Sequence, residues 1–158
     1  MRSNEIFAQM TPEQALGFLE ELKQEAPTIA QIALSAAAQA FKLRPQFLRK
    51  QSRARQAEWM RRALARTLMA STAEEVLAEY FLEHRNELLT ELLDALGVEH
   101  EEGRLKGADP ECPKPAALDK VLTKFRDGAH PERRELLLRA FAAQSSIDWP
   151  ELESRVQS

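Results

Sequence analysis

Apolar residues recur along most of this chain at three- and four-residue steps, the spacing that places them on one face of an α-helix. Leu16, Phe18, Leu19 and Leu22 form the first run. Thr11-Pro12-Glu13-Gln14 stands before it as a helix start, with Thr11 as N-cap, Pro12 at the first helical position and Gln14 closing a capping box. A second helix is predicted from Thr28 to about Lys42, with Ile29, Ile32, Ala36 and Ala40 on one face and small Ala36-Ala37-Ala38 side chains suited to close packing. Pro45 opens a third, and neither glycine nor proline follows until Gly97. Overlapping capping boxes at Ser71-Thr72-Ala73-Glu74 and from Thr72 to Glu75 place a break near Ala70-Ser71. The pattern therefore predicts two long antiparallel helices, 45–70 and 72–96, each nearly 40 Å at about 1.5 Å per residue. Gly97-Val98 reads as a Schellman stop.

Residues 98–114 have no periodicity and carry Gly103, Gly107, Pro110, Pro113 and four glutamates, which predicts an acidic loop. Two shorter helices are predicted at about 116–127 (Leu118, Val121, Leu122, Phe125) and 131–144 (Leu137, Leu138, Phe141), and Asp148-Trp149-Pro150-Glu151 reads as the cap of a last turn. No apolar–polar alternation argues for strands. The expected fold class is all-α: a multi-helix bundle over 1–97, an acidic loop or linker over 98–114, and a helical segment over 115–158 docked on the bundle. At 158 residues such a chain buries roughly 70% of its unfolded surface, which the tail's 44 residues would not achieve alone.

Composition alters this picture only through charge. The net charge of −3 excludes a uniformly basic coat. It conceals a sharp division: residues 42–70 carry nine basic side chains and one acidic, whereas 71–112 carry three basic and twelve acidic. At 100° per residue, Arg55, Trp59, Arg62 and Arg66 line one flank of helix 45–70, with Arg49 and Arg53 nearby. On helix 72–96, Glu75, Glu79, Glu83, Glu87 and Glu91 follow one another in four-residue steps. A hairpin turning near 70–72 would set Arg66 by Glu75, Arg62 by Glu79, Arg55 near Glu87 and Lys50 by Glu91. Such exposed pairs are worth about 0–1 kcal/mol each and set register more than stability.

Two functional expectations follow. The first is a non-enzymatic protein–protein contact, with a protein partner or a second copy of the chain, through helices 45–96. The second is nucleic-acid binding through Arg49, Arg53, Arg55, Trp59, Arg62 and Arg66, with guanidinium groups on phosphate and an aromatic face for a base. A helical enzyme or small-ligand carrier is a weaker third.

Local chemistry is sparse. His84 precedes Glu87 and Glu91 at helical spacing, but Phe81 occupies the position a Glu-x-x-His ligand motif needs. His100 sits among Glu99, Glu101 and Glu102 with no spacing that fixes a geometry. Cys112, the one cysteine, has Glu111 beside it, which disfavours the thiolate, and fits a reducing compartment. There is no GxGxxG or GxxxxGK[ST]. No catalytic residue, cofactor or metal is therefore assigned. The N-terminal residues lack an apolar signal-like run, and no window approaches the roughly 18 apolar residues of a membrane span, so the expectation is a cytoplasmic protein without a membrane partner.

Overall fold

The structure is a computed structural model and describes residues 1–157. The fold is all-α. Its contacts divide the chain into two compact units, Arg2–Tyr80 and the chain from Phe81 onward together with Met1. The pattern placed the end of the first bundle at Gly97; the division falls earlier, after Tyr80.

The first unit is built from α1 (Ser3–Gln9), α2 (Pro12–Glu25), α3 (Pro27–Ala40), α4 (Pro45–Arg49), α5 (Arg53–Leu64) and α6 (Ala70–Glu79). The capping box at Thr11 forms as expected: Gln14 N–H donates to Thr11 Oγ1 at 3.1 Å and Thr11 N–H to Gln14 Oε1 at 2.9 Å. α5 packs against α2 and α3, and α6 against α1 and α3. Leu19, Leu22, Ala33, Met60, Leu64, Val76 and Leu77 fill the space between them, all almost wholly buried. Phe18 joins this core edge-on to Tyr80, at 5.2 Å between ring centroids and 73°. The Tyr80 hydroxyl donates to Glu21 at 2.7 Å, which satisfies the polar end of a buried ring.

The long helix expected over 45–70 is broken twice. Lys50–Ser52 leave the helix, and Ser52 caps α5 by accepting from Arg55 N–H at 3.2 Å. This break leaves carbonyls at the end of α4 without helical partners. Buried Gln56 answers them, its Nε2 donating to Arg49 O at 3.2 Å and Gln51 O at 3.0 Å. The second break follows Leu64: Arg66 is extended (φ −73°, ψ 140°), Asn4 Nδ2 donates to Ala65 O at 3.2 Å, and a 3-10 turn at Thr67–Met69 leads into α6. Ser71 and Thr72 thus lie inside α6, whose N-cap is Met69, and the two expected capping boxes do not form.

Helix 72–96 is interrupted as well. A π turn occupies Tyr80–His84, and Arg85 (φ −134°, ψ 40°) precedes α7 (Asn86–Leu96). The Schellman stop is present: Gly97 takes φ 71°, its N–H donates to Asp94 O and Val98 N–H donates to Leu93 O.

The loop expected over 98–114 contains a strand pair, β1 (His100–Glu101) and β2 (Arg104–Leu105), antiparallel with His100 opposite Leu105. Glu102 and Gly103 between them both have positive φ, as a two-residue hairpin of type I′ requires. The expectation of no strands is corrected at this hairpin. A side chain at Gly103 would meet Leu89 and Asn86 side-chain atoms at 2.9 and 3.0 Å. α8 (Pro115–Arg126), α9 (Pro131–Ala143) and α10 (Pro150–Val156) complete this unit, within a residue of where the periodicity set the first two. Trp149, buried, packs on Phe141 at 5.3 Å and its Nε1 donates to Pro110 O at 2.7 Å. No helix among the described residues is long and apolar enough to cross a membrane.

Candidate functional site

The basic segment forms one surface of the first unit, around the corner between α4 and α5. Its support is a small apolar cluster of Ala37, Leu48 and Ala63, with half-buried Leu34, Ala40, Phe41, Leu43 and Trp59 packed on it. Leu48 anchors α4, and Ala63 lets α5 approach α3. Phe41 is fixed at the end of α3 by a Schellman turn in which Leu43 N–H donates to Ala38 O at 2.8 Å. Lys42 takes the left-handed position of that turn, with φ 53°.

Phe41 and Trp59 lie 5.0 Å apart, tilted by 57°. The Arg62 guanidinium sits 5.2 Å from each ring centroid, and that of Arg66 5.5 Å from Phe41. Arg66 Nη1 also donates to Ala40 O at 2.7 Å, a carbonyl exposed by the end of α3. The structure brings together Trp59, Arg62 and Arg66, three of the four residues that the helical wheel set on one flank, although Arg66 lies beyond the end of α5, and it adds Phe41 from the end of α3. Arg49, Arg53 and Arg55 are exposed on the same segment, around the α4–α5 corner. There Arg55 Nη1 donates to Gln51 Oε1 at 3.3 Å, and Gln51 Nε2 to Phe47 O at 3.3 Å.

The expected pairing with the glutamate row is absent. Among the described residues no ion pair joins Arg66 to Glu75 or Arg62 to Glu79, and Glu91 pairs with Arg134 instead. The hairpin register assumed one continuous helix on each side of a turn at 70–72, and the breaks at Lys50–Ser52 and after Leu64 remove it. Glu58, the one carboxylate of 42–70, is taken by Arg61 through hydrogen bonds of 3.0 and 2.7 Å. That hydrogen bond holds the Glu58 carboxyl below its ordinary range. Among the described residues, Arg49, Arg53, Arg55, Arg62 and Arg66 have no carboxylate partner. The excess of positive charge reaches α2, where burial and, second to it, Arg53 depress the Lys23 ammonium.

Two aromatic side chains were not legible as parts of this surface. Phe41 lies outside the wheel of the basic helix. Phe47 is 46% exposed although it neighbours Leu48, which is buried, and only the contacts of α4 separate the two. Trp59 is half-buried and already lends its ring to Phe41 and Arg62.

The remaining reactive side chains serve the second unit. His84 lies half-buried in the π turn. His100 Nδ1 accepts from Gly103 N–H at 3.0 Å and Nε2 meets Asp94 Oδ1 at 2.6 Å, so the ring braces the hairpin. Burial first, then Glu151, pushes the Cys112 thiol up, away from the thiolate. Among the described residues no three His, Cys, Asp or Glu side chains converge to hold a metal ion. A groove along α8 is lined by Asp119, Lys120, Thr123, Lys124, Arg126 and Asp127, a mixture of charges that favours no ligand class.

Comparison of the chain with protein-family models, curated proteins and solved structures finds no match.

Proposed function

We propose that this chain binds nucleic acid, gripping phosphates with the exposed arginines of α4 and α5. The observation that carries the reading is that Arg62 and Arg66 rest on Phe41 and Trp59, with no carboxylate partner among the described residues. An arginine stacked on a ring keeps its N–H edges free for a phosphate and has less side-chain freedom to lose when it binds one. Arg49, Arg53 and Arg55 extend the positive surface around the corner, so several phosphates of one strand can be met at once.

The test is titration of fluorescent single- and double-stranded oligonucleotides at low and moderate salt. Phosphate contact releases counterions, so the logarithm of the binding constant falls linearly with the logarithm of salt, by about 0.7 to 0.9 per phosphate neutralised. Arg62→Glu with Arg66→Glu is expected to abolish binding and leave helicity intact. No binding at the lower salt overturns the reading.

A second reading, a contact with a protein or a second copy through the same face, draws on Leu68, which is 89% exposed beside the basic helix. Light scattering separates the two. A mass above that of one chain without nucleic acid, lowered by Leu68→Ser, would favour self-association.

A further inference from the structure

We infer that Phe47 is the base-stacking residue of this surface, and that the ligand is a single-stranded nucleic acid. The inference rests on the phosphate-binding reading above and names the form of nucleic acid that it takes.

A phenyl ring left 46% exposed forfeits part of the hydrophobic gain open to it, and α4 could bury it only by giving up Leu48, which is 3% exposed. The ring is presented on a braced element. Leu48 fixes α4 to the cluster of Ala37 and Ala63, and Gln56 ties its last carbonyl, Arg49 O, to α5. Positive charge surrounds it. Arg44, Arg49 and Lys50 flank Phe47 in sequence and are exposed, and Arg55 is linked to its main chain through Gln51, whose amide donates to Phe47 O and accepts from the Arg55 guanidinium. An exposed aromatic ring within a basic surface is what unpaired bases use, because every base has a face to stack while its phosphate meets a neighbouring cation. A duplex hides those faces within its own stack, and the phosphates alone are then left to bind. Trp59 does not compete for the role, since its ring is engaged by Phe41 and Arg62.

The experiment compares the full-length protein with Phe47→Ala and Phe47→Trp on three probes: a thymidine strand of about 20 nucleotides, longer than one ordinary site, an abasic strand of the same length, and a duplex. Stacking of one base predicts that Phe47→Ala binds the thymidine strand about 5- to 150-fold more weakly. Affinities for the abasic strand and the duplex should not change, nor should the salt slope on any probe. Phe47→Trp restores binding to the thymidine strand. Circular dichroism confirms that both variants keep their helicity, as expected for a half-exposed ring.

Equal binding of the thymidine strand by Phe47→Ala and the unaltered protein overturns the inference. So does an equal loss on all three probes, which would make Phe47 structural. In either case, loss of binding in Arg62→Glu with Arg66→Glu leaves the phosphate reading standing. If the unaltered protein binds none of the three and instead binds anionic phospholipid vesicles, both the inference and the reading fail, and Phe47 belongs to a membrane contact.

Discussion

Arginine is used in opposite ways by the two units. From Phe81 onward the side chain is structural. Arg134, 8% exposed, lies with its guanidinium 4.7 Å over the Phe125 ring, pairs with Glu91 and donates to Phe125 O at 3.0 Å and Ala129 O at 2.6 Å. Arg126 pairs with Glu135 and donates to Arg155 O at 3.1 Å, and Arg155 donates to Asp119 at 2.6 Å. Around α5, by contrast, only Arg61 pairs with a carboxylate among the described residues, and exposed Arg62 and Arg66 rest on aromatic or backbone supports. A charge whose donors are consumed inside the fold is part of its stability. An exposed charge that rests on a ring or a carbonyl contributes less to that stability.

The largest effect should therefore come from removing Arg134. Arg134→Ala strands the Phe125 and Ala129 carbonyls and the ring face, and is expected to cost about 2–4 kcal/mol of unfolding free energy. Equilibrium urea unfolding measures it, and a cost below about 0.5 kcal/mol would mean that these bonds are exchanged freely with water. Gly128 sharpens the point. A methyl group there would fall on the Arg134 guanidinium, so Gly128→Ala should displace it and lose part of the same energy. In the Arg134→Ala background the glycine change should cost little, and that non-additivity identifies the guanidinium as the shared cause.

Gly103→Ala should come next, at about 1–3 kcal/mol. Its φ of 94° is unfavourable for any other residue, and the new methyl would press on Leu89 and Asn86. Asn86 Nδ2 donates to Glu102 O at 2.7 Å and Leu82 O at 3.0 Å, so the disturbance should be felt at the start of α7. Hydrogen exchange across 82–90 is expected to report it.

On the basic surface the same kind of truncation should be mild. Arg62→Ala and Arg66→Ala are each expected to cost only about 0.5–1 kcal/mol, the value of an exposed cation–ring contact. Had the glutamate row been their partner, the pair would lower the melting temperature together with Glu75→Ala and Glu79→Ala in a coupled way. Double-mutant cycles between Arg62 and Glu79 should instead return a coupling near zero.

What could be read from the sequence, and what could not, divides along the same lines. Signals held within four or five residues were legible: the Thr11 box, the Gly97-Val98 stop, and the prolines that open α2 and α4. The break at Lys50–Ser52 was not, because Ser52 has Arg55 where a capping box has Glu, and because the compensation comes from Gln56 burying its amide under the corner. The hairpin at His100–Leu105 has two residues per strand, too few to show alternation. On the candidate surface, one helix's wheel was enough to group Trp59 with Arg62, whereas Arg66 joins them from beyond the end of α5. Phe41 and the exposed Phe47 needed the packing of α3 and α4, and the register of charges across two helices failed once both helices proved discontinuous.

The smallest expected effect tests the one exception to the contrast, the Glu58–Arg61 pair. Arg61 hydrogen-bonds the carboxylate and holds its pKa below the ordinary value of about 4.5. A carboxyl lowered in the folded state binds its proton more weakly there than in the unfolded chain, so its contribution is complete above the unfolded value and is lost as pH falls through the lowered one. Both partners are partly exposed, so screening keeps that contribution well under about 1 kcal/mol. Glu58→Gln should remove this part of the acid-side loss in a stability–pH profile while leaving stability at neutral pH nearly unchanged. It should also tighten oligonucleotide binding and steepen its salt dependence, because Arg61 would then join the unpaired cations of α5. If Glu58→Gln instead weakens binding, Arg61 matters as a brace for the helix rather than as a charge withheld from the surface.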